Sequence, residues 1–255
     1  MLVDSHSHFD APEFDPDREA ALARARAAGV TRQIVPAVAA NSWSRLRDVC
    51  TRDRGLFPAY GLHPMYLAEH QPAHLGELRQ WIERERPVAV GECGLDFFVE
   101  GLDADDQQRY FDGQLHLARE FDLPVIVHAR RAVDAVIASF KRVGGLRGVV
   151  HSFSGSPEQA RQLWQLGFLI GLGGPVTYDR ANRLRTLART MPLDFLLLET
   201  DAPDQPDAGI RGQRNEPSRL TVVRDVIADL RRASPDDLAA ATTRNAERLF
   251  GLPAP

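Results

Sequence analysis

Lysine occurs once in this sequence, at Lys141, although 31 residues are lysine or arginine. No run of arginines makes up for it, and the formal net charge is −4. A basic stripe is the usual electrostatic footprint of a protein that gathers nucleic acid from a distance, so any polyanion is recruited here by other means. Cysteine is scarce too: Cys50 and Cys93 make neither a disulfide framework nor a CxxC zinc spacing. No stretch of 18 apolar residues occurs, which excludes a membrane-spanning helix of ordinary length. The opening residues, Met1-Leu2-Val3-Asp4-Ser5-His6, lack the basic and then apolar pattern of an export signal, and a soluble, cytoplasmic protein is expected.

What is present is periodic. Apolar residues are 44% and charged residues 26% of the chain, a balance that supports an ordinary globular core. Eight short apolar runs recur, at residues 2–8, 33–38, 56–64, 88–92, 124–128, 148–151, 168–172 and 195–199. A helical pattern follows each of them. Gly29 closes the first helix as a residue able to take positive φ, and Ser156-Pro157-Glu158-Gln159 opens a later one with an N-cap, a proline at N1 and a glutamine at N3. The runs are continuous rather than alternating, as parallel strands buried on both faces should be. No linker or composition shift interrupts the cadence. The expected fold is α/β, a single (β/α)8 TIM barrel domain over residues 1–255.

The strand ends carry the chemistry. Phe195 to Leu198 leads into Glu199 and Asp201, and a Pro-, Asp- and Gly-rich segment then runs to Pro217. Loops of that length are usually functional or disordered. Of eight histidines, His70, His74 and His116 fall in helical stretches and read as surface or satisfied structural residues. His6, His8, His63, His128 and His151 fall at the C-terminal ends of expected strands, as does Glu92. In a barrel those ends share the catalytic face. At strand period two, the imidazoles of His6-Ser7-His8 point to one side and can grip one ion. One strand-end histidine is more often a hydrogen-bonded structural residue, but several converging with Glu92 and Asp201 form a metal-ligand set. Six ligands exceed what one tetrahedral ion needs, so two divalent ions are expected. Binuclear barrels often bridge their ions with a carbamylated lysine. Lys141 sits late in a helix, which leaves Glu92 as the bridge.

A set of ordered blocks extends this reading: His6-Ser7-His8, Gly91-Glu92-Cys93-Gly94-Leu95-Asp96, Pro124 to His128, His151-Ser152-Phe153-Ser154-Gly155, Leu198 to Pro203, Arg214-Asn215-Glu216-Pro217 and Asn245 to Phe250. From residue 2 to about 252 the chain resembles the TatD family of metal-dependent deoxyribonucleases. The resemblance implies a distorted, amidohydrolase-like barrel and phosphodiester hydrolysis by a two-metal activated water, often from the 3′ end of DNA. It implies that His6, His8 and Asp201 hold one ion, that His128 and His151 hold the other, and that Glu92 bridges. The family often reads Gly-x-His-Pro-His where this chain has Gly61-Leu62-His63-Pro64-Met65. A contact made by that second histidine elsewhere does not carry over. Cys93 is expected to pack beneath Glu92, or else to be an oxidation-sensitive neighbour.

Asp201 is the candidate proton acceptor, with Glu92 the other catalytic carboxylate and Glu199 behind them holding a ligand or a nearby amide. His63, Arg130, Ser154 and Asn215 are candidate phosphate contacts, each with a structural alternative, which for Asn215 is loop anchoring or helix capping. The ions are zinc, manganese or magnesium; imidazole-rich ligation favours zinc or manganese, while the family is often described as magnesium-dependent. The expected partner is DNA, single-stranded or at its ends, with no membrane and a monomeric protein. The competing function is a small-molecule amide, ester or lactone hydrolase, which the negative net charge favours and which the same ligands would serve. A barrel that binds without catalysing is disfavoured because all six ligand positions are filled.

Overall fold

The computed structural model describes residues 1–253, in which strands and helices alternate along the chain. The strands are β1 (Leu2–Asp4), β2 (Val30–Pro36), β3 (Leu56–Tyr60), β4 (Ala89–Asp96), β5 (Val125–Arg130), β6 (Gly148–Val150), β7 (Phe168–Leu172) and β8 (Leu196–Leu198). Their order in the sheet is the chain order, which is the connectivity of a (β/α)8 barrel. No helix among the described residues is long and apolar enough to cross a membrane. The chain divides into two compact units, one made of residues 1–35, 50–57 and 170 onward, the other of residues 36–49 and 58–169.

In the first unit β1 pairs with β2 and β7 pairs with β8, both in parallel. β8 also returns to β1: Ser5 donates its backbone N–H to the Leu198 carbonyl at 3.0 Å, and Asp201 donates to the His6 carbonyl at 2.9 Å. The closing helix α9 (Pro235–Phe250, after α1 to α8) lies against β1 and β8. Its buried Asn245 donates to the carbonyls of Leu193 and Leu196 at 2.8 and 3.0 Å. The apolar runs of β7 and β8 are wholly buried, which is why they read as unbroken in sequence.

In the second unit β3 to β6 pair in succession. β4 is longer than the sequence pattern indicates, running past Glu92 to Asp96, which pairs with Arg130 of β5. Gly94 permits this. Its φ is +138°, and a Cβ there would lie 2.0 Å from the His128 carbonyl oxygen, so only glycine lets the strands stay in register. Glu92 and His128 therefore stand within strands rather than at their tips. The reverse holds for β1, which ends at Asp4 and leaves His6 and His8 in the turn beyond it.

Helix α4 (Ala104–Glu120) packs on β4 and sets the height of the loops beside it. Its buried Gln107 accepts from the Asp96 N–H at 2.7 Å and donates to the Asp96 carbonyl at 3.0 Å. Two turns on, buried Gln114 does the same to Leu62, at 2.7 and 3.1 Å. Each glutamine satisfies both backbone groups of one residue next to or within the candidate site. Gln107→Leu keeps the volume and deletes both bonds, leaving a buried donor and acceptor unmet. Denaturant titration should show a loss of roughly 2–4 kcal/mol; a loss of a few tenths would mean that Gln107 is not a fastening point.

Candidate metal centre

In the second unit, three imidazoles surround one carboxylate oxygen. Glu92, 1% exposed, has its Oε1 2.9 Å from His63 Nε2, 3.3 Å from His128 Nδ1 and 2.6 Å from His151 Nε2. The outer nitrogens decide what each ring can offer. His63 Nδ1 accepts the Met65 backbone N–H at 3.1 Å, and a backbone N–H can only donate. The proton of neutral His63 therefore sits on Nε2, beside Glu92, and that nitrogen has no lone pair for a cation. His128 is the opposite case. Its Nε2 lies 2.8 Å from Asp96 Oδ2, so the proton belongs there and Nδ1 presents its lone pair beside Glu92.

Asp96 is itself fixed, its Oδ1 accepting from the backbone N–H groups of Phe98 and Val99 at 2.8 and 3.0 Å. Burial alone would raise its pKa, but the bonds from His128, Val99 and Phe98 outweigh burial and bring it to about 2. Burial likewise would lower the pKa of His128, but the two facing carboxylates, Asp96 and Glu92, favour the ring that carries both protons and raise it. A carboxylate that stays ionised behind an imidazole strengthens that imidazole as a ligand.

In the first unit, His6 Nε2 and His8 Nε2 are 3.3 Å apart, and Asp201 Oδ1 lies 3.5 and 3.6 Å from them. Tetrahedral coordination at ordinary zinc–nitrogen distances separates its donors by about 3.4 Å. The three donor atoms form a triangle of that size. Asp4, at the end of β1, holds the two sides of it in place. Its carboxylate accepts from the backbone N–H groups of His6 (3.3 Å) and Thr200 (2.9 Å) and from the Thr200 hydroxyl (2.5 Å). Burial pushes Asp4 up to about 7 despite those bonds. Asp201 takes the left-handed conformation, with φ 57°, and its other oxygen accepts from the Gln205 amide.

Both donor sets suit a divalent cation. The donor atoms of His6, His8 and Asp201 lie within 4.8 Å of one another, as do those of His63, Glu92 and His128. In the second set His128 Nδ1 and His151 Nε2 lie 3.3 and 2.6 Å from Glu92 Oε1, while His63 Nε2, 2.9 Å from the same oxygen, carries a proton. His63 is thus engaged by Glu92 rather than projecting alone, and His70 fastens its backbone, with Nε2 2.9 Å from the His63 carbonyl. Glu199 is buried against β7, where a Cβ at Gly171 would lie 2.0 Å from its Oε2. Asn215 commits its amide to the carbonyls of Thr200, Asp204 and Gln205, which anchors the long loop after β8. Ser154 is exposed in the loop after β6. Arg130 ends β5 with its guanidinium 3.7 Å from the centroid of the Phe98 ring. Cys93 is fully buried with its thiol against the Ile126 carbonyl, and burial raises its pKa, so it is a packing residue with little thiolate. Asp96, which closes the Gly91 to Asp96 block, was left out of the candidate site by sequence reasoning, yet it lies against His128.

Comparison with known proteins agrees with this chemistry. The family described as TatD related DNase matches residues 3–251. The metal-dependent hydrolase YjjV of Escherichia coli K12 is 45% identical over 99% of this chain and 98% of its own. Its crystal structure, described as a TatD homologue, superposes with a TM-score of 0.95 at 44% identity, covering 99% of this chain and 98% of that one. An Erwinia billingiae protein named 3'-5' ssDNA/RNA exonuclease TatD is 34% identical over 99% of this chain and all of its own. An amidohydrolase structure from Saccharomyces cerevisiae, at 18% identity and a TM-score of 0.82 over 98% of this chain and 99% of that one, shares the fold. The distorted, amidohydrolase-like barrel is therefore the architecture.

Asp96→Asn removes the negative charge behind His128 while keeping the side chain's size. Competitive metal titration should show a cation held about 10- to 100-fold more weakly, with the folded content unchanged by circular dichroism. Unaltered affinity would show that Asp96 does not tune His128.

Proposed function

Because the chain belongs to the TatD related DNase family of metal-dependent hydrolases, we propose that it is a deoxyribonuclease of the 3′-to-5′ exonuclease type. The observation that carries the reading is the pair of donor sets. His6, His8 and Asp201 form one, and Glu92, with His128 Nδ1 and His151 Nε2 beside its Oε1, forms the other. We assign one divalent ion to each, zinc or manganese in preference to magnesium, because imidazole nitrogens dominate the donors. When bound, such ions supply Lewis acidity, which activates water and neutralises charge that builds on a phosphoryl group.

The chain's own residues do the rest. Asp201 accepts a proton from the attacking water, and the Gln205 amide holds the carboxylate in the orientation that allows it. His63, with Nε2 2.9 Å from Glu92 Oε1, lies against that carboxylate, while Asp96 fixes which nitrogen of His128 faces inward. Arg130 offers an exposed guanidinium to a phosphate. Glu199, walled in beside Gly171, supports the end of β8 from behind. The substrate is DNA presented as a single strand or an end, a reading supported by the name of the Erwinia relative.

The test is product analysis on end-labelled single-stranded DNA, with the 3′ end free or blocked, in chelator and after metal add-back. A metal-dependent ladder that shortens from the free 3′ end supports the exonuclease. Metal-loaded protein that leaves every strand intact would favour a small-molecule amide, ester or lactone hydrolase instead.

Asp201→Asn separates proton transfer from metal binding. At saturating metal, with occupancy measured by elemental analysis, turnover should fall roughly 100- to 10,000-fold. Equal turnover at equal occupancy would remove the proton-accepting role.

A further inference from the structure

The large apolar side chains exposed among the described residues are Met1, Met65, Tyr66, Phe97 and Phe98. Four of them belong to the second unit, where Met65 and Tyr66 follow His63 and the two phenylalanines follow Asp96. Single exposed apolar residues are ordinary on a protein surface. Consecutive aromatics just past a candidate ligand strand are not.

Phe98 is also held in place. Asp96, whose Oδ2 binds His128, uses Oδ1 to accept the Phe98 backbone N–H at 2.8 Å. One buried carboxylate thus sets both the imidazole and the aromatic segment. Phe97 is tied to the neighbouring strand by its N–H to the Arg130 carbonyl at 2.9 Å. The Phe98 ring has the Arg130 guanidinium carbon 3.7 Å from its centroid and that of Arg131 at 4.6 Å. Arg131 is left-handed, with φ 55°, an unfavourable conformation for a residue with a Cβ.

Neither guanidinium has a carboxylate partner among the described residues, unlike Arg142 on Asp112 or Arg147 on Asp122 in the same unit. Two exposed cations laid on an exposed ring, without a counter-charge, complement a polyanion that also carries planar groups. A protein partner would satisfy the ring but not both charges unless it were acidic. A nucleic acid strand satisfies ring and charges together.

We infer that Phe98, Arg130 and Arg131 form a platform on which an unpaired nucleobase of single-stranded nucleic acid stacks while the arginines hold the adjoining phosphate. The inference rests on the nuclease reading of the same site and adds a reason for strand choice. An aromatic face and an arginine plane accept any base, but only one that has left its duplex. The overall charge of −4 is then no obstacle, because the attraction is local.

The test measures binding by fluorescence anisotropy on metal-loaded protein, using a dye-labelled phosphorothioate strand and a matched strand with abasic sites. Wild type should bind the base-bearing strand roughly 5- to 100-fold more tightly than the abasic one. Phe98→Ala should abolish that difference, and Phe98→Trp should keep it. Arg130→Gln with Arg131→Gln should weaken both strands alike and flatten the salt dependence, by about 0.7 in log–log slope for each phosphate that is no longer neutralised. Phe98 is 43% exposed, so these changes leave the core intact. Wild type that cleaves DNA yet binds both strands equally, or Phe98→Ala that still discriminates, overturns the platform and leaves the nuclease reading standing. Discrimination without cleavage under any metal overturns the nuclease reading and leaves the platform. Protein that neither binds nor cleaves a strand overturns both.

Discussion

A carboxylate cannot be sealed from water without groups that offset its charge, and Glu92 is sealed almost completely. Much of the second unit answers that demand. Three imidazoles take positions around one of its oxygens, and the outer nitrogens of two of them are set in turn by the Met65 N–H and by Asp96. Asp96 is pinned by two backbone N–H groups and clamped by Gln107, while Gln114 clamps the residue before His63. The chain of dependence runs outward from the buried charge to two glutamines of helix α4.

The first unit meets a similar demand with a different device. Asp4 is a second fully buried acid, and its partners are backbone N–H groups and one hydroxyl rather than imidazoles. Because those donors belong to His6 and Thr200, the acid fastens the turn after β1 to the end of β8. Asp201 then needs a left-handed backbone to bring its carboxylate back toward His6 and His8. Asn215 holds the carbonyls on the far side of that turn. Geometry that metal chemistry requires is thus supplied by backbone hydrogen bonds made several residues away.

A preference for single strands gains a local cause in the Phe98 platform, next to the donor set that Asp96 organises. The carboxylate that faces His128 also accepts the Phe98 backbone N–H, so on the proposed reading metal affinity and strand choice would share a residue. On the proposed reading, a net charge of −4 is compatible with a nucleic acid substrate, because Arg130 and Arg131, which have no carboxylate partner among the described residues, would offset phosphate charge locally.

The eightfold cadence of apolar runs and the imidazoles and carboxylates of the candidate site were legible in the sequence, since burial on both faces of a parallel sheet forces unbroken apolar strands and candidate ligands are recognised by side-chain type. Strand lengths were not, because the extension of β4 to Asp96 depends on Gly94 lying against the His128 carbonyl, a contact between residues on different strands. Asp96 stood at the end of a recognisable block, yet its role turns on facing His128. Gln107 and Gln114 looked like any polar helix residues. Sequence alone left open which nitrogen of His63 holds its proton, and the Met65 N–H decides it. Residue type sets what a group can donate or accept and is written in the chain; which partner it meets, and hence which atom carries the proton, is decided only when packing brings distant segments within hydrogen-bond reach.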